Sequence, residues 1–177
     1  MLALQAGITT AQQPHAAPES QAAGPQLEAF FTPEDDAIGK IVAAIGHARQ
    51  QIRVQAYLFT ARKLADALIR AHRAGVDVAL IVDQEQVEKG GAPMAAAVAA
   101  ANIPVFVDGQ HSNAHNKIIL VDPESDAPVV ITGSYNFTVA AQTRNAENVL
   151  LVHGDRTLAT AYRDNWENHR KHSLRMQ

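Results

Sequence analysis

Val76-Asp77-Val78-Ala79-Leu80-Ile81-Val82 is a nearly continuous apolar run, and it follows a helical stretch, Ala61 to Ala74, that Gly75 closes. A run with so little polar alternation reads as a strand buried on both faces, which needs cover above and below its sheet. Other segments repeat the pattern. Pro33-Glu34-Asp35-Asp36 opens a helix with acids in its first turn, and Ile38, Ile41, Val42 and Ile45 give it an apolar stripe. Ile52 to Phe59 is a strand. A helix through Met94 to Ala101 precedes a strand from Pro104 to Val107, and further strands follow at His115 to Val121, Val129 to Ser134 and Val149 to Val152. A final helix runs from about Asp155 to Lys171. This alternation predicts an α/β/α sandwich, and the late hairpin makes its central sheet mixed rather than purely parallel.

Within that frame, His115-Asn116-Lys117 followed by Asp122 reads H-x-K-x4-D, and Gly133-Ser134-Tyr135-Asn136 reads G-S-x-N. His169-Arg170-Lys171 is also H-x-K, but Met176 stands where the Asp would be and the sequence ends at Gln177. Only the first occurrence has its context. Together the two motifs resemble the signature of the phospholipase D superfamily, and this chain is similar to its small, single-motif Nuc-type bacterial endonucleases. The likeness extends over roughly residues 27–173, taking in Ile52 to Thr60, Ala74 to Val78 and Trp166-Glu167-Asn168-His169. It implies a phosphodiesterase that attacks through histidine, with no metal and no cofactor.

The residue types suit that chemistry. A phosphodiester is an anion, so its oxygens must be neutralised, a nucleophile supplied and the leaving group protonated. Neutral imidazole attacks phosphorus, and a second imidazole serves as acid in the same pH range. Lys117 offers a cation to the non-bridging oxygens, and Ser134 and Asn136 add neutral donors. Residues two apart share a strand face, so His115 and Lys117 project together while Asp122, of opposite parity, points away. Asp122 therefore reads as a positioning or ion-pairing member of the motif, not a proton carrier, and is counted with His115, Lys117 and Glu147 as the catalytic set. A nucleophilic imidazole also needs a partner on its second nitrogen. The resemblance gives that part to a downstream acid, which Glu147 matches.

The other histidines lack motif context. His111 and His153 read as loop or surface residues, and His47, His72, His169 and His172 as solvated positions on helical stretches. No cluster of His, Asp and Glu with metal-ligand spacing is read beside the motif. Arg144 is as consistent with a phosphate contact as with a plain surface charge.

With 177 residues, 47% of them hydrophobic, the chain can bury a core as one domain over residues 27–177. There are no cysteines, which excludes disulfides and thiolate metal sites. No apolar stretch has membrane-spanning length, so no stable membrane insertion is expected. The net charge of −3 argues against extended nucleic-acid binding but not against a basic cleft. Residues 1–26, rich in Ala, Gln and Pro, read as a disordered leader or the remnant of an export signal. The relatives are commonly exported, which implies a periplasmic or secreted protein, with a cytoplasmic one as the alternative.

Superfamily chemistry uses two histidines, and this chain has one motif without an internal repeat. Two copies of His115 are therefore expected to meet across a two-fold axis, in a homodimer with a shared active site. The function expected is a non-specific endonuclease acting on DNA, with RNA as a further expected substrate. The alternatives are a phospholipid-cleaving hydrolase and a non-catalytic nucleic-acid-binding module; the complete set of six motif residues argues against the latter.

Overall fold

A computed structural model describes residues 24–177. Eight strands form one mixed sheet: β1 (Gln26–Thr32), β2 (Gln51–Ala56), β3 (Asp77–Asp83), β4 (Val105–Asp108), β5 (Lys117–Val121), β6 (Val129–Gly133), β7 (Glu147–His153) and β8 (Leu174–Arg175). Their spatial order is β1-β7-β6-β5-β2-β3-β4-β8. Strands β2, β3 and β4 run parallel, and the remaining pairs are antiparallel.

Helices cover both faces. On one side α1 (Ala37–Gly46), α2 (Arg62–Arg73) and α4 (Pro93–Ala100) pack Ile41, Ile45, Leu64, Leu68 and Val98 against Val54, Leu80 and Ile119. Burying each of those Leu side chains contributes about 2 kcal/mol. On the other side the long α6 (Arg156–His172) sets Ala159 and Leu158 against Ile118, Leu120 and Val130. Its Trp166 packs on Ile81 and Phe106, and the indole N–H donates to Val54 O at 3.0 Å. Alternate residues of β5 thus serve opposite layers, as the period of a strand requires. The expected α/β/α sandwich with a mixed sheet is what forms.

Several local expectations need correction. Helix α1 starts at Ala37, so Glu34, Asp35 and Asp36 precede it, and Asp36 caps it by accepting from Gly39 N at 3.0 Å. Strand β5 begins at Lys117, leaving His115 just before the strand. The leader expected over residues 1–26 lies outside the described residues except for its last three, and Gln26 already belongs to β1. Strands β1 and β8 and the short helices α3 (Gln84–Glu88) and α5 (Val139–Thr143) were not legible. Edge strand β1 leaves Leu27 and Phe31 exposed, and α3 buries no residue, so neither carries a one-sided apolar pattern.

Candidate active site

The hairpin of β5 and β6 brings the two motifs together. Ile118 pairs with Thr132, and Ala56 on β2 pairs with Lys117. Ladder bonding continues one step further, from Tyr57 N to Asn116 O at 3.0 Å, which fixes the backbone beside His115. At the end of β6, Gly133 has φ +153, and a Cβ there would stand 2.2 Å from Asn148 O. Only glycine permits that approach. It lets Ser134 N donate to Asn148 O and Asn148 N donate to Ser134 Oγ, each at 3.1 Å.

His115 is exposed, whereas Lys117 is buried. Lys117 Nζ lies 3.0 Å from His115 Nδ1 and donates to His115 O at 2.7 Å. The Tyr57 ring lies 4.3 Å from the imidazole and 4.9 Å from the ammonium. Burial, and then the charge of Lys117, push the His115 pKa down, with Asp83 opposing. The ring is therefore neutral, and available as a nucleophile, at lower pH than an ordinary histidine. Burial also pulls Lys117 down to about 8, against the field of Glu147.

Glu147 is not bonded to His115 in this arrangement, contrary to the orienting role expected for it. Its carboxylate accepts from Ser134 Oγ at 2.6 Å and from Asn145 Nδ2 at 2.9 Å. An ammonium has only N–H to offer, so Lys117 makes Nδ1 an acceptor and puts the proton of a neutral ring on Nε2. Attack through Nε2 needs the other tautomer, with Nδ1–H held by an acceptor. Asn136 lies in the turn after β6, and its buried Oδ1 has no hydrogen-bond partner among the described residues.

Asp122 does not join this group. It sits at the far end of β5, about 16 Å from Lys117 at ordinary strand rise. Its carboxylate accepts from the backbone N–H groups of Arg49, Gln50 and Gln51 at 2.7–2.8 Å, and its φ is +47. It pins the start of β2 rather than touching a substrate, so its place among the catalytic residues is corrected to a structural one.

Four contributors carry no motif in the sequence: Tyr57, Asp83, Tyr162 and Asn165. Tyr57 walls the imidazole. Asp83, almost fully buried, accepts from Gln86 N at 2.9 Å and from Ala114 N at 2.7 Å, so it fixes the residue preceding His115. Tyr162 and Asn165 of α6 line, with His115, Lys117 and Thr132, an open cleft of about 430 Å³. Their i, i+3 spacing on one helix face was the available signal.

Of the remaining histidines, His153 is at the opposite end of β7 from Glu147 and pairs with Glu28 at 2.9 Å. His111, His169 and His172 are not solvated singly but converge on Asp108. That convergence overturns their reading as isolated surface positions. It is a group apart from the His115 site.

Over residues 41–170 the chain matches the family described as cardiolipin synthase, PLD-like domain. Phospholipase D of Rickettsia prowazekii is 39% identical over 136 residues, which cover 77% of this chain and 63% of that protein. Mitochondrial cardiolipin hydrolase of Xenopus tropicalis is 29% identical over 133 residues, 75% of this chain and 60% of that one. The chain thus spans less than two thirds of the length of either relative. Among solved structures, a phospholipase D family member, Nuc from Salmonella typhimurium, superposes with a TM-score of 0.80 at 30% identity, covering 86% of this chain and 99% of that one. NucT from Helicobacter pylori, with a TM-score of 0.74 at 18% identity over 86% of this chain and 99% of its own, shares the fold.

Proposed function

Because this chain belongs to the phospholipase D superfamily, we propose that it is a phosphodiester hydrolase. More finely, we propose an endonuclease that cleaves DNA, and RNA as well, with little sequence preference and no metal in the chemical step. The observation that carries this reading is the His115–Lys117 pair: a neutral, exposed imidazole beside an ammonium, at the mouth of a cleft. The resemblance of the His115 and Gly133-Ser134 motifs to single-motif Nuc-type endonucleases, on a chain whose fold superposes on Nuc along nearly its whole length, supports a nucleic acid as substrate.

The site belongs to a homodimer in this proposal. Nε2 of one His115 attacks phosphorus as the bond from phosphorus to the leaving oxygen breaks, and the partner subunit's His115, protonated, gives that oxygen its proton. The same imidazole then takes a proton from water as the water oxygen bonds to phosphorus and the P–N bond breaks. Lys117, Ser134 and Asn136 hold the non-bridging oxygens. Binding also corrects the tautomer. A phosphate that recruits the Lys117 and Ser134 donors removes the present partner of His115 Nδ1 and frees Oε2 of Glu147, whose Oε1 keeps Asn145, so that Oε2 can accept from Nδ1–H. Two observations support pairing of chains: His153 and His111 are committed elsewhere, and Phe31 and Val139 expose apolar surface, Phe31 paired across to Asn148 and Val139 just past the Asn136 turn.

The names of the Rickettsia and Xenopus relatives support a second reading, a phospholipid as the diester. Among the described residues no helix is long and apolar enough to cross a membrane. The test incubates purified protein with plasmid DNA, RNA and phosphatidyl-lipid vesicles. Nicking of DNA supports the first reading, and cleavage of lipid alone replaces it with the second. Initial rates that collapse in EDTA and return with Mg2+ would refute metal-free chemistry.

A further inference from the structure

At the opposite end of the loop that leads into His115, β4 ends on Asp108, whose side chain is wholly buried. Its Oδ2 lies 3.1 Å from His111 Nδ1, 2.7 Å from His169 Nδ1 and 3.2 Å from His172 Nε2. His111 comes from the loop after β4, and His169 and His172 come from the last turn of α6, where i, i+3 spacing puts both on one face. The four donor atoms all lie within 4.8 Å of one another. Oδ1 accepts from Gln110 N at 3.0 Å and lies 3.3 Å from His111 Nδ1, so His111 straddles the carboxylate while His169 and His172 meet Oδ2 alone.

Hydrogen bonding alone accounts poorly for this arrangement. A carboxylate oxygen has two lone pairs, so three imidazole N–H groups aimed at one oxygen crowd it. A cation among the four atoms removes the conflict, because each imidazole then presents a lone pair and the carboxylate its charge. Three nitrogens and one oxygen make a borderline donor set that suits Zn2+ and its neighbours, and disfavours Mg2+ or Ca2+. In a tetrahedral zinc site, metal–donor distances of about 2.0–2.1 Å put the donors about 3.4 Å apart. The His–Asp108 spacings of 2.7–3.2 Å need to open by about 0.2–0.7 Å, and the widest donor spacing, at most 4.8 Å, needs to close by up to about 1.4 Å, which side-chain rotation can supply. The backbone N–H on Oδ1 provides the outer support that metal-bound carboxylates usually have.

We propose that Asp108, His111, His169 and His172 form a closed, structural site for one divalent transition-metal ion of the zinc type. All four positions are filled by protein, so the ion has no open position for substrate. Its role is to clamp the end of α6 to β4 and to fix the start of the loop whose other end Asp83 holds at Ala114. His111, partly exposed at 43%, gives the ion its way in.

The experiment uses the full chain, free of any histidine tag, stripped with a chelator and then titrated with Zn2+ by calorimetry. Metal content after desalting, Co2+ absorption and thermal melting are read on the same samples. The proposal expects one zinc retained per chain, the intense visible bands of tetrahedral Co2+ and a higher melting temperature in the loaded protein. His111→Ala, which alters an exposed loop residue and need not disturb folding, should weaken zinc at least about tenfold. Asp108→Asn should abolish retention, while His115→Ala should leave one equivalent bound. Failure of the wild-type chain to retain zinc overturns the proposal. So does zinc binding that survives His111→Ala undiminished, or that disappears with His115→Ala. Stripping should lower the melting temperature without changing the initial rate on DNA, so the clamp and the metal-free reaction fail independently.

Discussion

Two groups of histidines lie at either end of one short loop, and they are built oppositely. At His115 a single imidazole is exposed, touched by Lys117 and Tyr57 and otherwise open to the cleft. At Asp108 three imidazoles surround one carboxylate that has no exposure at all. An imidazole that must attack a substrate cannot have all its capacity spent within the protein, whereas one that ties elements together must. The same residue type thus serves reaction at one end and cohesion at the other, and burial with saturation of partners tells them apart.

This contrast is sharpest under substitution. His115→Ala should lower turnover at least about a thousandfold, with the melting temperature unmoved because the ring contributes little to the core. A variant that keeps a tenth of the activity, measured on plasmid DNA, would remove the nucleophilic role. Asp108→Ala should do the reverse. Leaving three part-exposed imidazoles without the buried carboxylate they share should cost about 2 kcal/mol in denaturant unfolding, while the rate per folded molecule holds. Loss of turnover at undiminished stability would erase the distinction between the two groups.

Asp122 offers a smaller test, because the motif places it with His115 and the structure places it elsewhere. Asp122→Ala removes the acceptor of three backbone N–H groups and puts alanine at positive φ, so it should cost about 2 kcal/mol. Asp122→Asn should recover much of that in stability, and in activity to the same extent. A selective loss of kcat in Asp122→Asn would restore a catalytic role.

The smallest effect is in pH dependence. Lys117 loses its proton as pH rises through about 8, lower than an ordinary lysine because of burial. The alkaline limb of kcat/KM should therefore fall near pH 8. Lys117→Arg, less active but permanently charged, should move the limb upward. The His115 pKa is depressed, so the neutral nucleophile persists to more acidic pH than the usual imidazole value.

How much of this was legible depends on the range of the signal. Strands β2 to β7 and helices α2, α4 and α6 could be read because their apolar periodicity is local, and the motif could group His115, Lys117, Ser134, Asn136 and Glu147 by their order without saying which of them touch. Parity rightly turned Asp122 away from His115 and Lys117, whereas its grouping with the catalytic residues came from the motif alone, because spacing does not show what lies beyond the strand end. The Asp108 group was written in the sequence as Asp108-x-x-His111 and His169-x-x-His172, two unremarkable spacings far apart. The packing of α6 on the sheet, through Trp166 against Phe106 of β4, and the pairing of β4 with β8 bring them together. Nor could any periodicity reveal that Glu147 is held by Ser134 and Asn145, because that depends on the close approach at Gly133.

The central claim is that two copies of His115, one from each chain, share one reaction. Wild-type protein mixed with increasing His115→Ala subunits, with exchange verified by mass spectrometry, tests it most directly. Heterodimers then hold one imidazole where two are needed. The account predicts that total activity at constant protein concentration falls as the square of the wild-type fraction. A linear dependence would contradict it, and would place the proton donor within the same chain as the nucleophile.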